Sequence, residues 1–388
     1  MLNFEYCSPT RIVFGREAEK RTGELARRFG KKVLVHYGGG SIKRNGVYDK
    51  VVASLKEAGV DFVELGGVQP NPRLSLVREG IRLCKEEGVD LILAVGGGSA
   101  IDSSKAIAAG LKYDGDVWEM FLDGSKGPFD ALPVGVVLTI PAAGSECSNG
   151  CVITAEEGWL KRDIGGECLV PAFAVMNPEF TFTLPAYQTA CGASDILAHM
   201  FERYFTQVTH TDLTDRLLEA AMRTILIQAP IVLREPENYD ARAEVMWTGT
   251  IAHNNLLDTG RLGDWASHNI EHELSGMYDI AHGAGLAIVF PAWMRYCWKE
   301  NPARFVQLAV RVFDVDLAFG QTQEIVEEMI RRLENWYRSL GMPVRLHEAN
   351  IGEDRLREMA KKCFIARQIG NFKKLDEEDV YQIYRLAL

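Results

Sequence analysis

Two glycine turns constrain this chain more than any other feature of its 388 residues. "VLVHYGGGSIKRNGV" sets Gly38, Gly39, Gly40 and Ser41 between an apolar run and a helical pattern. "LILAVGGGSAIDSSKA" repeats the arrangement with Gly96, Gly97, Gly98 and Ser99. Further apolar runs, "DFVEL", "PVGVVLTI" and "PAFAVMNP", share the first half with the helical patterns "YDKVVASLKEAG" and "LSLVREGIRLCKEEG". Short apolar strands alternating with amphipathic helices predict a parallel sheet wrapped by helices.

After "TFTLPAYQTA" the texture changes to long helical patterns such as "TDLTDRLLEAAMRTILIQAPIVL" and "QTQEIVEEMIRRLENWYRSLG". Length alone favours two domains. The expected organisation is an α/β dinucleotide-binding domain over 1–184, with an all-α domain over 185–388. A net charge of -10 without a basic patch argues against nucleic acid as a partner. No apolar run has the roughly 18 to 20 residues a membrane span needs. The longest, "GAGLAIVFPAW", reads as a buried helix. Eight scattered cysteines without CxxC, and an opening "MLNFEYCSPTRIVFG" unlike a signal peptide, predict reduced thiols and a cytoplasmic location.

A glycine turn brings backbone close to a ligand, and the N–H groups of a following helix favour an anion such as phosphate. One GGGS is explained by a tight turn alone; two in one domain favour a dinucleotide. Asp102 and Lys105, on the first turns after the second motif, are candidate ligand contacts. Their bland readings are a first-turn acid balancing the helix dipole and a solvated lysine. At the first turn stands Ser41, followed by Lys43 and Arg44. Neutral and basic groups suit a 2′-phosphate and so favour NADP(H). The counter-candidate is Glu64, which ends the next strand where a ribose-binding acid would stand for NAD(H).

The helical half crowds its histidines. His268 and His272 are spaced i, i+4, as are Asp195 and His199 in "GASDILAHMFERYF"; His282 follows after "ELSGMYDIA". Each pair lies on one helix face, and facing pairs build sites for divalent metal. One carboxylate with three imidazoles would suit Fe²⁺ or Zn²⁺, and position alone allows His272 as readily as its neighbours. His36, His210, His253 and His347 show no such pairing and read as structural. A Lewis acid beside a nicotinamide implies carbonyl polarisation with hydride transfer.

The motifs "GGGSAIDSSKAIAA", "LTIPAAGSECS", "NPEFTFTLP", "DILAH" and "HNIEHELSGMYDIAHG" resemble the iron-containing (group III) alcohol dehydrogenase family across essentially the whole chain. They are most similar to its NADPH-dependent butanol dehydrogenase and aldehyde reductase branch. The resemblance implies the dehydroquinate synthase-like fold and the metal ligands Asp195, His199, His268 and His282. His272 would then be a proton-relay residue beside nicotinamide and substrate. It implies diphosphate contacts at Gly97, Gly98 and Ser99, Asp102 near the carboxamide, and Thr139, Ser145, Ser148 and Lys161 along the cofactor groove. Gly38, Gly39 and Ser41 match the NADPH-using branch. "SECSNG" departs from the branch's "SExN", with Ser148 where Asn is expected and Asn149 adjacent. The implied activity is interconversion of primary alcohols such as butanol with aldehydes, by a homodimer. The alternatives are an NAD-dependent glycerol or polyol dehydrogenase, a lyase of the dehydroquinate synthase type, or a nucleotide sensor without catalysis.

Overall fold

The computed structural model describes residues 1–388. Its strands are β1 (Arg11–Phe14), β2 (Lys32–Tyr37), β3 (Asp61–Leu65), β4 (Leu91–Gly96), β5 (Val134–Leu138), β6 (Gly150–Ala155), β7 (Leu160–Gly165) and β8 (Phe173–Met176). Six of them form one wholly parallel sheet in the order β1-β8-β5-β4-β2-β3. Successive side chains of a strand point to opposite faces, and both faces here are buried. Val33, Val35, Leu91, Leu93 and Val95 enter one core. Leu34, Ile92, Ala94, Val136 and Leu138 enter the other. That double burial is why these strands read as continuous apolar runs.

β1 and the antiparallel pair β6–β7 are not announced by the sequence pattern. β1 has only four residues and lies at the sheet edge. "LKRDIG" in β7 mixes charged residues into its run.

The chain divides into two compact units. One comprises Cys7–Leu184 and Pro236–Asn254 and holds the sheet. The other comprises Met1–Tyr6, Pro185–Glu235 and Asn255–Leu388 and is helical, with long helices at Ala186–Tyr204, Asp212–Arg234, Ala266–Tyr278, His282–Cys297 and Thr322–Ser339. The helix Tyr239–Ala252 falls in the 185–388 stretch yet belongs to the α/β unit. Its Met246 enters a sheet core, and Thr250 Oγ1 donates to the buried Glu146 Oε1 at 2.6 Å. The apolar run "GAGLAIVFPAW" is a buried helical stretch, as its composition predicts. No helix is long and apolar enough to cross a membrane, and no disulfide joins any of the eight cysteines.

Candidate functional site

In the helical unit, Ala186–Tyr204 carries Asp195, His199 and Glu202 at i, i+4 and i+7, one stripe of a helix. All three are buried. Ala266–Tyr278 carries His268, Glu271 and His272. Asp279 ends that helix in the left-handed conformation, and His282 opens the next. Gly285 allows the close approach: a Cβ there would stand 2.4 Å from Glu271 Oε1.

These elements aim three imidazoles at one carboxylate oxygen. His199 Nε2 and His268 Nε2 each lie 3.7 Å from Asp195 Oδ1, and His282 Nε2 lies 3.8 Å from it. Those separations exceed hydrogen-bond reach. They approach the spacing of about 3.4 Å between ligand atoms around a tetrahedral ion with bonds near 2.1 Å. Asp195 Oδ1 and His268 Nε2 are both buried without a hydrogen-bond partner, a costly arrangement for polar atoms facing nothing. A divalent cation among them would satisfy both. The donor set, one carboxylate and three imidazoles, fits Fe²⁺ or Zn²⁺. Burial disfavours charge on Asp195, but the three imidazoles outweigh it and hold the carboxyl well below its usual range. Burial likewise opposes a charged His268, yet Asp195 and Glu202 raise it to about 9. The pocket thus favours positive charge. His282 is the one open wall, its side chain 25% exposed against 5–7% for the other three.

Two carboxylates behind the imidazoles were not anticipated from sequence. Glu202 Oε1 accepts from His268 Nδ1 at 2.8 Å and from the His268 backbone N–H at 2.9 Å. Its other oxygen accepts from the Trp265 backbone N–H at 2.6 Å. Glu271 Oε2 takes His282 Nδ1, and Ser275 Oγ donates to Glu271 Oε1. A carboxylate on Nδ1 keeps the proton there and leaves the Nε2 lone pair for a metal. The available signal was the spacing: Glu202 and Glu271 each fall three residues after a candidate ligand, on its own face. His272 lies in the same cluster, its ring centroid 5.7 Å from that of His282.

In the α/β unit the second glycine turn opens the helix Gly98–Gly110. A Cβ on Gly98 would come 2.7 Å from Ala143 Cβ, so only glycine fits the backbone against "IPAAG". Asp102 with Ser145, and Lys105 with Ser148, form two buried hydrogen-bonded sets. Ser145 Oγ donates to Asp102 Oδ1 at 2.6 Å, and Val152 N–H donates to Asp102 Oδ2 at 3.0 Å. Lys105 is not the solvated lysine of its bland reading: it is fully buried. Its Nζ donates to the carbonyls of Ser148 and Gly150 at 2.8 and 2.9 Å and to Ser148 Oγ at 3.3 Å. Burial raises Asp102 and lowers Lys105 from their ordinary values. Thr139 is buried at the end of β5, its N–H bonded to Gly96 O at 2.9 Å. Lys161, on β7, is buried and donates to Asn71 Oδ1 at 3.0 Å.

The first glycine turn feeds a helix of only four residues, Ser41–Arg44. A helix this short aligns too few peptides for the N-terminal dipole expected from the sequence to be appreciable there. A Cβ on Gly39 or Gly40 would meet nothing within 4 Å, so the turn borders open space. Glu64 is not a lone strand-end acid. Lys43 Nζ lies 2.8 Å and Tyr37 OH 2.9 Å from its Oε2, and Tyr48 OH bonds Oε1. Burial pushes Glu64 up, but these partners prevail and lower it. Of the histidines read as structural, His36 is buried between Leu65 O and Ser103 Oγ, and His253 Nδ1 meets Ala143 O at 2.9 Å.

A family model described as iron-containing alcohol dehydrogenase matches residues 9–178. A second, described as Fe-containing alcohol dehydrogenase family, C-terminal, matches residues 189–388. The chain is 43% identical over 388 residues to NADH-dependent butanol dehydrogenase A of Clostridium acetobutylicum, covering 99% of each. It is 37% identical over 364 residues to NADPH-dependent aldehyde reductase YqhD of Escherichia coli, covering 93% of each. Among solved structures, NADH-dependent butanol dehydrogenase A of Thermotoga maritima matches with a TM-score of 0.96 at 42% identity, over 100% of this chain and 99% of that one.

Proposed function

This chain belongs to the iron-containing alcohol dehydrogenase family, and from that premise we propose that it interconverts primary alcohols such as butanol with their aldehydes, working chiefly as an aldehyde reductase. The observation that carries the reading is the convergence of three imidazole Nε2 atoms, at 3.7 to 3.8 Å, on Asp195 Oδ1.

When bound, a divalent metal supplies Lewis-acid polarisation of a substrate oxygen, and a nicotinamide cofactor supplies or accepts hydride. Asp195, His199, His268 and His282 are the residues assigned to hold the metal. Glu202 and Glu271 orient His268 and His282 and increase their basicity. His272 is assigned the proton transfer that completes reduction to the alcohol.

Cofactor binding is assigned to the α/β unit. Gly97, Gly98 and Ser99 take the diphosphate, Asp102 the carboxamide end, and Thr139, Ser145, Ser148 and Lys161 line the groove. Gly38, Gly39 and Ser41 take the adenosine end. NADP(H) is the proposed preference. Ser41 brings no negative charge to that turn, and Glu64 is engaged by Lys43 and two tyrosine hydroxyls, which lessens its repulsion of a 2′-phosphate. Relatives named for NADH and for NADPH both resemble the chain, so the ratio of kcat/KM values decides. A cytoplasmic homodimer is the proposed setting, in keeping with eight cysteines that form no disulfide.

The test is a panel of butanal, longer aldehydes, glycerol and 1,3-diols, assayed with both cofactors after loading with Fe²⁺ or Zn²⁺. Fastest turnover on unbranched aldehydes supports the reading. Fastest turnover on polyols with NAD⁺ replaces it with a polyol dehydrogenase.

A further inference from the structure

We propose that Arg367 is a positioning residue that holds His272 as an Nε2–H donor and thereby keeps it out of the metal's ligand set. The inference rests on the metal and proton-transfer roles proposed above and assigns a cause to the difference between His272 and its neighbours.

Arg367 follows the short helix Leu356–Lys362, in the connector leading to Glu377–Leu386. It comes directly after Ala366, whose backbone is left-handed at φ 62°, a conformation that L-residues adopt at a cost. A guanidinium has five N–H donors and no acceptor, and all five have named partners here. Nε donates to Cys363 O at 2.8 Å. Nη2 donates to Asn269 O at 2.7 Å and to Glu273 Oε1 at 2.9 Å. Nη1 donates to Asn269 Oδ1 at 2.8 Å and to His272 Nδ1 at 3.2 Å. Asn269, His272 and Glu273 are spaced i, i+3 and i+4, so the guanidinium binds one face of the helix Ala266–Tyr278. Its pairing with the buried Glu273 fixes the fork in place.

Because arginine can only donate, His272 Nδ1 must accept. A neutral imidazole carries one proton, so that of His272 sits on Nε2. His268 and His282 have the opposite partners: Glu202 and Glu271 are acceptors, so their Nδ1 atoms keep the proton and their Nε2 atoms present lone pairs. His268 and His272 thus leave one helix a turn apart, with one built as a metal ligand and the other as a hydrogen-bond donor. The residue on each Nδ1, carboxylate or guanidinium, sets the difference.

The experiment uses the full-length, metal-free protein with ¹⁵N-labelled histidine, and reads imidazole tautomers from long-range ¹H–¹⁵N correlations at about pH 10, where His268, raised to about 9, is neutral. His272→Asn and His268→Asn spectra assign the signals. We expect His272 as the Nε2–H tautomer and His268 as Nδ1–H. Arg367→Met should abolish the preference at His272, and Arg367→Lys, which still donates, should keep it. In the loaded enzyme, Arg367→Met should lower kcat about 10- to 100-fold with the KM for NADPH unchanged. His272 found as Nδ1–H in the unaltered protein, or unchanged by Arg367→Met, overturns the proposal. If Arg367→Met does not fold, the spectra of the unaltered protein and of Arg367→Lys decide alone. Metal loss in His272→Ala also overturns it. Expected tautomers together with full turnover in His272→Ala support the assignment to Arg367 and contradict only the proton-transfer role.

Discussion

Asp195 Oδ1 and His268 Nε2 face each other across 3.7 Å, both buried and neither hydrogen-bonded. Two polar atoms left so in a helical core are destabilising unless something stands between them. Asp195→Ala, His199→Ala, His268→Ala and His282→Ala should therefore each lose the metal and reduce turnover to background. NADPH binding should change little, because the glycine turns belong to the other unit. Elemental analysis beside a cofactor titration checks this; full metal occupancy in any variant removes that residue from the ligand set.

The carboxylates behind the ligands should matter almost as much. Glu202→Gln and Glu271→Gln keep an oxygen that can accept from Nδ1 but remove the charge that makes each imidazole a better donor. Metal affinity is expected to fall about 10- to 100-fold in each, measured by competition with a chromogenic chelator. Unchanged affinity would reduce these residues to packing.

Much of this site is legible in sequence because its signals are local. The spacings of Asp195–His199 and His268–His272 are properties of one helix, and each glycine turn joins one strand to one helix. Glu202 and Glu271 were hidden by their type, since acids on helices usually face solvent, although their spacing placed them beside the ligands. Arg367 stands 95 residues from His272, and no periodicity connects them. Lys105 misled for the same reason as the acids: a lysine on a helix is ordinarily solvated, and only the fold brings the carbonyls of Ser148 and Gly150 to it. β1 and the helix Tyr239–Ala252 were hard to place because short edge strands and returning helices take their positions from tertiary packing.

At the first glycine turn, Ser41→Asp should move preference from NADPH toward NADH. A like charge about 4 Å from a phosphate costs roughly 1 to 4 kcal/mol, depending on screening. The kcat/KM for NADPH should fall by about 10-fold or more, with NADH little affected. If the unaltered enzyme already prefers NADH, the reading of Ser41 fails and Glu64 becomes the ribose-binding candidate.

His36 gives a prediction about pH. Burial lowers its pKa to about 4 in the folded protein, against the 6.5 of an exposed histidine. As pH falls below 6.5 the unfolded chain takes the proton first, so stability declines until about pH 4, below which both states are protonated. The span corresponds to a loss of at most about 3 kcal/mol. Urea unfolding at pH 7 and pH 4.5 should show a smaller acid-dependent loss in His36→Gln than in the unaltered protein. Equal losses would show that His36 is not the group responsible.

Replacing His272 separates its proposed role from metal binding. His272→Ala should keep the metal and lower kcat about 10²- to 10⁴-fold. An unchanged kcat would mean that water supplies the proton.

Whether Asp195 and three histidines hold the metal on which alcohol–aldehyde interconversion depends is decided by a titration of chelator-stripped protein. Fe²⁺ or Zn²⁺ is added in fractions of an equivalent while NADPH oxidation by butanal is followed at each step. Activity should rise from background to a plateau at one metal per chain in the unaltered protein, with no rise in Asp195→Ala. Equal turnover before and after stripping, or the same rise in Asp195→Ala, would contradict it.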